Sequence, residues 1–283
     1  MSLPGSTAYL NGKYLPIEEC KVSALDRGFI FGDAIYELIP VYNGKPFYLD
    51  AHLKRLERSL GQIEIKSPHD MAGWTDIVNQ LSEKSGLKDL YVYIQVTRGV
   101  APRDHAFPVN TPPTVFAMIG SWPSTPAEIY EQGLSAVTVN DMRWDRCDIK
   151  VTSLLANVLK KQKAVEGNAH EAIILRDGYV LEGSASNVFV VKDNQVYSAP
   201  KNNLILPGIT RDVVVDLLNE NKIPLIEEAP TVEILRSADE IWITSSTKEC
   251  LPVTTLDGGP VGNGQPGELW GKVFEYFQAR KQV

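Results

Sequence analysis

Apolar positions in the first 120 residues recur with two different periods. Leu53, Leu56 and Leu60 lie at helical spacing and predict an amphipathic helix over 51–63, with Asp50 as its N-cap. A second helix is predicted over 71–85, whereas apolar and polar residues alternate through 90–97, as in a strand. Further strands are predicted over 8–10, 35–42 and 114–120. Strands and helices interleaved in this way predict an α+β layer.

The second half of the chain repeats this mixture after a segment rich in proline. Residues 121–126 read Ser-Trp-Pro-Ser-Thr-Pro and predict an interdomain linker between an N-terminal α/β domain, 1–120, and a C-terminal domain, 127–283. Asp177-Gly178 predicts a tight turn between two strands. The predicted strands are 134–139, 171–176, 179–182, 187–191 and 240–244, and the predicted helices are 152–166, 210–221 and 268–280.

Composition narrows the possible functions. The chain has 283 residues, 43% of them hydrophobic and 22% charged, as is typical of a folded globular protein of about two domains. With 28 basic and 35 acidic residues, its formal charge is -7. No overall positive field favours nucleic acid or an anionic membrane, so we expect neither as a partner and favour small-molecule chemistry.

The cysteines and residues 1–11 indicate the cellular compartment. Cys20, Cys147 and Cys250 are widely spaced and odd in number, which predicts buried free thiols and neither a disulfide framework nor a thiolate metal site. Residues 1–11 lack the basic and apolar regions of a secretory signal, and the sequence has no apolar run long enough to span a membrane. We therefore predict a cytoplasmic protein.

Four features of the second half are candidates for binding or catalysis, although each also has an ordinary structural interpretation. The turn 206–208 enters a helix that we expect Thr210 to cap, and a helix start suits a phosphate. Four consecutive hydroxyl residues, 244–247, end a strand, where they can bind phosphate or cap a turn. Lys150 lies between apolar residues, which favour the nucleophilic neutral amine, and Glu182 ends an apolar strand, where a carboxylate can bind a buried cation.

The sequence gives no motif support for a dinucleotide-binding enzyme, a zinc protease, an NTPase or a serine hydrolase. Residues 262–267 fit a G-x-G-x-x-G pattern, but the strand and acidic residue of a dinucleotide site cannot follow so near the C-terminus, so we predict a loop. The sequence contains no zinc-protease motif, no phosphate-binding P-loop and no serine-hydrolase elbow.

The order of six motifs resembles fold type IV pyridoxal-phosphate enzymes, the class of branched-chain and D-amino acid aminotransferases. The motifs are 27–37 (Arg-Gly-Phe-Ile-Phe-Gly-Asp to Tyr-Glu), 50–56, 147–150 with Asn157, 182–189 (Glu-Gly-Ser-Ala-Ser-Asn-Val-Phe), 207–211 and 244–249. The resemblance covers essentially the whole chain. It implies a small N-terminal α/β domain, a larger C-terminal domain with a β-barrel-like core, and a homodimer.

The resemblance also implies a cofactor, pyridoxal 5'-phosphate, and the residues that hold it. Lys150 would form the internal aldimine and shuttle the proton between Cα and C4', and Glu182 would keep the pyridine nitrogen protonated. Leu206 would pack against the ring. The implied phosphate ligands are Arg55, the Ile209 and Thr210 backbone, and Ser245 or Ser246.

Residues 96–108 and 143–150 most resemble the D-amino acid aminotransferase subfamily. An Arg-x-His pair and a tyrosine hold the substrate carboxylate there, which carries over to Arg103, His105 and Tyr36. The implied reaction transfers the amino group of a D-amino acid, such as D-alanine, to a 2-oxo acid. Ala185 departs from the subfamily, which has serine at that position, so the implied tuning of the cofactor is altered.

Three alternatives remain open at this stage. A branched-chain L-aminotransferase and an aminodeoxychorismate lyase share the scaffold, and a silent binding protein would retain the fold without the activity. The Arg103-x-His105 loop favours the D-type carboxylate site over the branched-chain enzyme. The simultaneous presence of Lys150 and Glu182 argues against a silent protein.

Overall fold

The computed structural model describes residues 6–122 and 125–282. The chain divides into two compact units. Unit 1 consists of Met1–Pro123 with Ile149–Ser153, and unit 2 of Ser124–Asp148 with Leu154–Val283. The predicted linker, 121–126, includes Pro123 and Ser124, which lie outside the described residues, so the exact boundary stays a prediction.

Unit 1 is built on an antiparallel sheet of six strands in the order β2-β1-β6-β5-β3-β4. Its neighbouring strands β3 and β5 are in register over eight residues, from Ala34 opposite Thr97 to Val41 opposite Leu90. The strands are β1 (Thr7–Leu10), β2 (Lys13–Pro16), β3 (Ala34–Tyr42), β4 (Lys45–Pro46), β5 (Leu90–Thr97) and β6 (Thr114–Ser121). The helices are a 3-10 turn (Ile17–Glu19), α1 (Arg27–Phe31), α2 (Leu49–Gln62) and α3 (Met71–Ser85).

Helices α2 and α3 pack on this sheet through their apolar stripes. Leu53, Leu56 and Leu60 of α2 are fully buried with the β3 and β5 side chains. Each such side chain contributes about 1.5–3 kcal/mol through burial. The predicted cap of α2 is wrong: the N-cap is Tyr48, at φ 51°, and Asp50 lies in the first turn, where its carboxylate pairs with Lys54.

Unit 2 contains a closed ring of six strands. Strand β9 pairs with β10, and the order β10-β13-β14-β7-β8-β9 returns to β9, so the ring has no open edge between these strands. This arrangement confirms the predicted barrel-like core. The strands are β7 (Leu134–Asn140), β8 (Glu171–Arg176), β9 (Tyr179–Gly183), β10 (Asn187–Lys192), β11 (Gln195–Tyr197), β12 (Leu225–Ile226), β13 (Glu240–Ser245), β14 (Glu249–Leu256) and β15 (Gly259–Pro260).

The helices of unit 2 differ from the predicted ones mainly at their starts. They are α4 (Ala127–Gln132), α5 (Leu155–Glu166), α6 (Ile209–Glu220), α7 (Val232–Arg236) and α8 (Glu268–Arg280). The helix predicted from residue 152 begins at Leu155, because Val151 forms a bridge with Ile35 and Thr152 donates its backbone N–H to the Ala34 carbonyl. Asp177-Gly178 forms the predicted turn, with both residues at positive φ.

The segment Ile149–Ser153 corrects the predicted domain division. It belongs to unit 1, although the sequence assigned it to the C-terminal domain. The physical reason is local: Ile149 is buried in the unit 1 core, and the backbone of the segment bonds to strand β3.

Two smaller features complete the description of the chain. Among the described residues, no helix has the length and apolarity that crossing a bilayer requires. Cys147 and Cys250 are buried, as predicted, whereas Cys20 is only half-buried because it follows the exposed 3-10 turn at the edge of unit 1.

Candidate active site

Lys150 is held by its backbone beside strand β3 of the unit 1 sheet. Tyr36 donates its backbone N–H to the Lys150 carbonyl at 2.9 Å, and Lys150 donates its own N–H to Ser59 Oγ at 3.5 Å. The Lys150 amine lies 4.1 Å from the centroid of the Tyr36 ring. The nucleophile predicted from the sequence therefore lies against one of the predicted substrate-binding residues.

The Tyr36 ring beside this amine belongs to an aromatic pair. The Tyr36 and Tyr93 rings stack with centroids 5.6 Å apart. Burial raises the pKa of Tyr93, and its hydroxyl donates to Gln95 Oε1 at 2.9 Å. The ring of this pair that faces the Lys150 amine is that of Tyr36.

Arg55 is buried and is oriented by a carboxylate. Its Nε and Nη2 donate to the two oxygens of Glu37 at 2.6 and 2.9 Å, while His52 Nδ1 lies 2.8 Å from Glu37 Oε2. Although burial favours the neutral acid, the Arg55 charge and the His52 hydrogen bond hold the pKa of Glu37 far below its ordinary range. Burial lowers the pKa of His52, so the ion pair consists of Glu37 and Arg55.

Arg103 and His105 lie in an irregular loop of unit 1, and both are exposed. Each contacts the ring of Phe31: the Arg103 guanidinium carbon is 5.2 Å from the ring centroid, and the imidazole is centred 5.4 Å from it. The structure thus brings the predicted Arg-x-His pair onto one aromatic surface.

Glu182 ends strand β9 and is buried within unit 2. Arg143 Nη1 donates to Glu182 Oε1, and the Leu206 N–H donates to Oε2 at 3.0 Å. Asn187 Nδ2 lies 3.3 Å from the same Oε2 and also donates to the Leu206 carbonyl at 2.9 Å. Burial nevertheless raises the pKa of Glu182 to about 7, against the opposing effect of Arg143.

A second buried carboxylate shares Arg143. Asp141 accepts from Arg143 Nε and Nη2, both at 2.9 Å, and its Oδ1 is 3.2 Å from Lys160 Nζ. Burial opposes the charge on Asp141, but the hydrogen bonds from Arg143 hold the pKa of Asp141 well below its usual range. Asp141 therefore fixes the guanidinium that faces Glu182.

The helix start predicted to bind phosphate is present, with a different cap. Helix α6 begins at Ile209 with Gly208 as the N-cap, so the prediction of Thr210 as the cap is wrong. The first backbone bond of α6 runs from the Asp212 N–H to the Gly208 carbonyl, so the Ile209 and Thr210 amides precede the helical ladder. A Cβ at Gly208 would lie 2.1 Å from Asn187 Oδ1, which shows how closely α6 approaches strand β10.

The hydroxyl run at the end of β13 lies next to this helix start. Glu182 pairs with Asn187 across β9 and β10, and Asn187 pairs with Thr244 across β10 and β13. The carboxylate, the amide and the hydroxyl run therefore form one row across three strands. Among the described residues, the buried Thr244 Oγ1 has no hydrogen-bond partner. Ser245 Oγ accepts from the Lys248 N–H at 3.1 Å, and both Ser245 and Ser246 are partly buried.

The polar groups on each unit fit the chemistry of a phosphorylated pyridine aldehyde. Unit 1 supplies an amine, Lys150, and a buried cation, Arg55. Unit 2 supplies a buried carboxylate suited to a cationic ring nitrogen, together with a helix start and hydroxyls suited to a phosphate dianion.

Comparison with known proteins agrees with this chemistry. Residues 34–256 match the family described as amino-transferase class IV. The chain belongs to this family. D-alanine aminotransferase from Staphylococcus haemolyticus is 42% identical over 270 residues, which cover 95% of each chain. D-alanine aminotransferase from Bacillus licheniformis is 45% identical over 260 residues, which cover 92% of this chain and 91% of the relative.

Solved structures of amino-transferases share the fold at lower identity. A branched-chain amino acid aminotransferase from T.th., determined with pyridoxamine 5'-phosphate, has a TM-score of 0.90 and 26% identity, covering 97% of this chain and 93% of the other. The branched-chain enzyme from Thermoproteus uzoniensis, determined with norvaline, has a TM-score of 0.87 and 26% identity, covering 96% and 93%.

Several residues that contact the candidate site residues were not assigned a role from the sequence. Glu37 occupies an otherwise apolar strand, and a buried charge of that kind requires a partner, which was the available signal. Arg143 and Asn187 lie within the quoted motifs, but nothing in the sequence shows that both contact Glu182. Those contacts depend on which strands become neighbours.

Proposed function

We propose that this aminotransferase transfers the amino group of a D-amino acid, such as D-alanine, to a 2-oxo acid. The observation that carries the proposal is the identity of 42–45% to D-alanine aminotransferases over more than nine-tenths of the chain. Identity to the branched-chain structures is 26%, although they share the fold. The Arg103 and His105 side chains on the Phe31 ring support the D-type assignment, because such a pair suits a carboxylate.

Pyridoxal 5'-phosphate supplies an aldehyde that accepts the amino group and a ring that accepts electrons from the substrate Cα. Arg55, the Ile209 and Thr210 amides, and Ser245 or Ser246 would hold its phosphate. The burial of Arg55 and the position of the two amides at the start of α6 support these roles. Leu206 would pack against the ring face.

Glu182 would hold the proton of the ring nitrogen. Glu182 is buried and is oriented by the Leu206 amide, Asn187 and Arg143, which supports this role. A protonated ring nitrogen beside Glu182 would be a cation, and its charge would favour the ionised carboxylate.

Lys150 Nζ would hold the aldehyde of the cofactor until the substrate amine displaces it, and the free amine would then take up the proton of the substrate Cα as a general base. The Tyr36 ring 4.1 Å from Nζ limits where this amine can go, which supports its role in a positioned proton transfer.

Arg103, His105 and Tyr36 would bind the substrate carboxylate. The guanidinium offers a bidentate fork, and the imidazole and phenol add further donors. Both loop residues are exposed within this single chain, as side chains that receive a ligand must be.

The active form would be a cytoplasmic homodimer. Exposed apolar side chains on helix α5 support a partner surface, with Leu155 72% and Val158 59% exposed. The cytoplasmic location stays a prediction from the sequence. Sedimentation of the cofactor-loaded protein at twice the chain mass would support the dimer, and sedimentation as a monomer would contradict it.

A panel of D- and L-amino acids with 2-oxoglutarate, followed through the cofactor absorbance, tests the reaction. D-alanine is expected to react and to yield pyruvate, while L-leucine is not. A preference for L-leucine would instead identify a branched-chain enzyme. Release of pyruvate from aminodeoxychorismate without an amino acceptor would identify a lyase, and no spectral change with any donor would indicate a binding protein.

A further inference from the structure

Arg27 is a buried arginine of unit 1 to which the proposed mechanism gives no role. It begins helix α1 and is 4% exposed. Its Nε donates to Asp33 Oδ2 at 2.8 Å. The rest of the guanidinium faces the loop that contains Arg103 and His105. A buried arginine is costly unless its donors are used, so the acceptors around it are informative.

The guanidinium donates to three consecutive carbonyls of that loop. Nη1 donates to the Asp104 carbonyl and to the Ala106 carbonyl, the latter at 3.3 Å, and Nη2 donates to the His105 carbonyl at 3.4 Å. This loop contains no helix or strand. Backbone contacts from a rigid cation therefore replace the ladder bonds that a regular element would provide.

Phe31, one turn further along α1, contacts the side chains of the same loop. The guanidinium carbons of Arg27 and Arg103 lie 4.8 and 5.2 Å from its ring centroid, and the His105 ring is centred 5.4 Å away. The Phe31 ring thus contacts both residues proposed to bind the substrate carboxylate, and also Arg27, which binds their backbone.

Asp33 connects this arrangement to the sheet. Besides Arg27, it accepts from Arg98 Nε at 2.7 Å and Nη2 at 3.0 Å. Burial opposes its charge, but the hydrogen bonds from Arg98 and Arg27 keep the pKa of Asp33 below its usual range. The Arg98 guanidinium also lies 3.7 Å from the Phe107 ring centroid, so the far end of the loop is held by the same ion cluster.

Resting on the proposed function, we propose that Arg27 and Phe31 are positioning residues that hold Arg103 and His105 in the geometry for binding the substrate carboxylate. Neither touches the carboxylate. Their removal leaves both ligands present but frees the loop, so the loss falls on carboxylate affinity rather than on the proton transfer at Lys150.

The test uses the cofactor-loaded enzyme with Arg27→Lys, Arg27→Gln and Phe31→Leu. Lysine keeps the charge but has no fork to span three carbonyls, so even Arg27→Lys is expected to have an effect. We expect KM for D-alanine to rise by about 10- to 100-fold, with kcat within about threefold of the parent. Propionate, a carboxylate without an amine, should bind more weakly by a similar factor in calorimetry.

D-alaninamide provides the internal comparison, because it has the amine but no carboxylate. Its rate constant with the cofactor-loaded enzyme should be unchanged in all three variants. Lys84→Gln is the matched control: it removes an exposed cation that lies 5.4 Å from the Tyr14 ring, away from the loop, and should leave both substrates and propionate unaffected.

The outcomes separate the two proposals. If the parent enzyme does not transaminate D-alanine, the proposed function fails. If it does, and the variants keep parental KM and propionate affinity, only the positioning role fails. Equal losses with D-alanine and D-alaninamide, together with a lower melting temperature, would show a general structural role and also overturn the proposal. If Arg27→Gln does not fold, the lysine and leucine variants decide the question.

Discussion

Arg55 donates two hydrogen bonds to the two carboxylate oxygens of Glu37, at 2.6 and 2.9 Å, and both side chains are buried. A buried ion pair of this kind is costly to break, because removing one partner leaves an uncompensated charge. In this protein the pair fixes a cation that we propose binds phosphate.

Replacing Glu37 with glutamine is therefore expected to destabilise the cofactor-free protein by about 3–5 kcal/mol in denaturant unfolding. Inorganic phosphate should restore part of the loss, since it would neutralise Arg55, and should raise the melting temperature more in the variant than in the parent. Asp50→Asn removes a carboxylate of an exposed pair and should change stability by less than about 1 kcal/mol. An equal response of parent and variant to phosphate would count against phosphate binding at Arg55.

Lys150→Ala is expected to reduce transamination of D-alanine by more than about 10³-fold, because both the nucleophile and the general base are lost. The absorbance band of the cofactor-loaded enzyme near the visible edge should disappear as well. Lys163→Ala, which removes an exposed lysine paired with Glu166, should leave the band and the rate in place. Full D-alanine activity in the Lys150 variant would exclude the proposed chemistry.

Glu182 should make the stability of the cofactor-free protein depend on pH. Burial raises its pKa from 4.5 to about 7, so the native protein retains a proton that the unfolded chain has released in this range. The neutral Glu182 carboxyl therefore makes its whole contribution to the free energy of unfolding below about pH 4.5. This contribution, about 3 kcal/mol, is lost as the pH rises to about 7.

The measurement for Glu182 is the unfolding free energy of the parent minus that of Glu182→Gln at several pH values. This difference should fall between about pH 4.5 and 7, because glutamine does not titrate. The same comparison with Glu83→Gln, an exposed carboxylate on α3, should stay flat. A flat difference for Glu182 would show that Arg143 keeps the carboxylate ionised throughout.

Gly208→Ala tests the close approach of α6 to strand β10. The new Cβ would lie 2.1 Å from Asn187 Oδ1, so the amide must move away from Glu182 and Leu206. We expect a loss of about 1–3 kcal/mol in unfolding free energy and weaker cofactor binding in an absorbance titration. Gly271→Ala, in an open position on α8, should instead stabilise by about 0.5–1 kcal/mol. Equal effects of the two variants would contradict the prediction.

Local pattern was a reliable guide to individual elements. The helix Met71–Ser85, the strand Leu90–Thr97 and the helix Glu268–Arg280 end where the sequence predicted, because each has a consistent apolar period between clear boundaries. Caps were less predictable. Asp50 and Thr210 have the residue types that favour N-caps, but the caps are Tyr48 and Gly208, where the preceding turn sets the backbone.

Sequence alone determined the ordered set of motifs that identifies the family, the candidate residues Lys150 and Glu182, and the mixture of strands and helices in which they lie. Only the tertiary structure decided that Ile149–Ser153 joins the first unit, that Glu37 orients Arg55, and that Arg143 and Asn187 hold Glu182. The reason is physical: periodicity reports which face of an element is buried, whereas the partner of a buried charge depends on strands and loops that are distant in sequence.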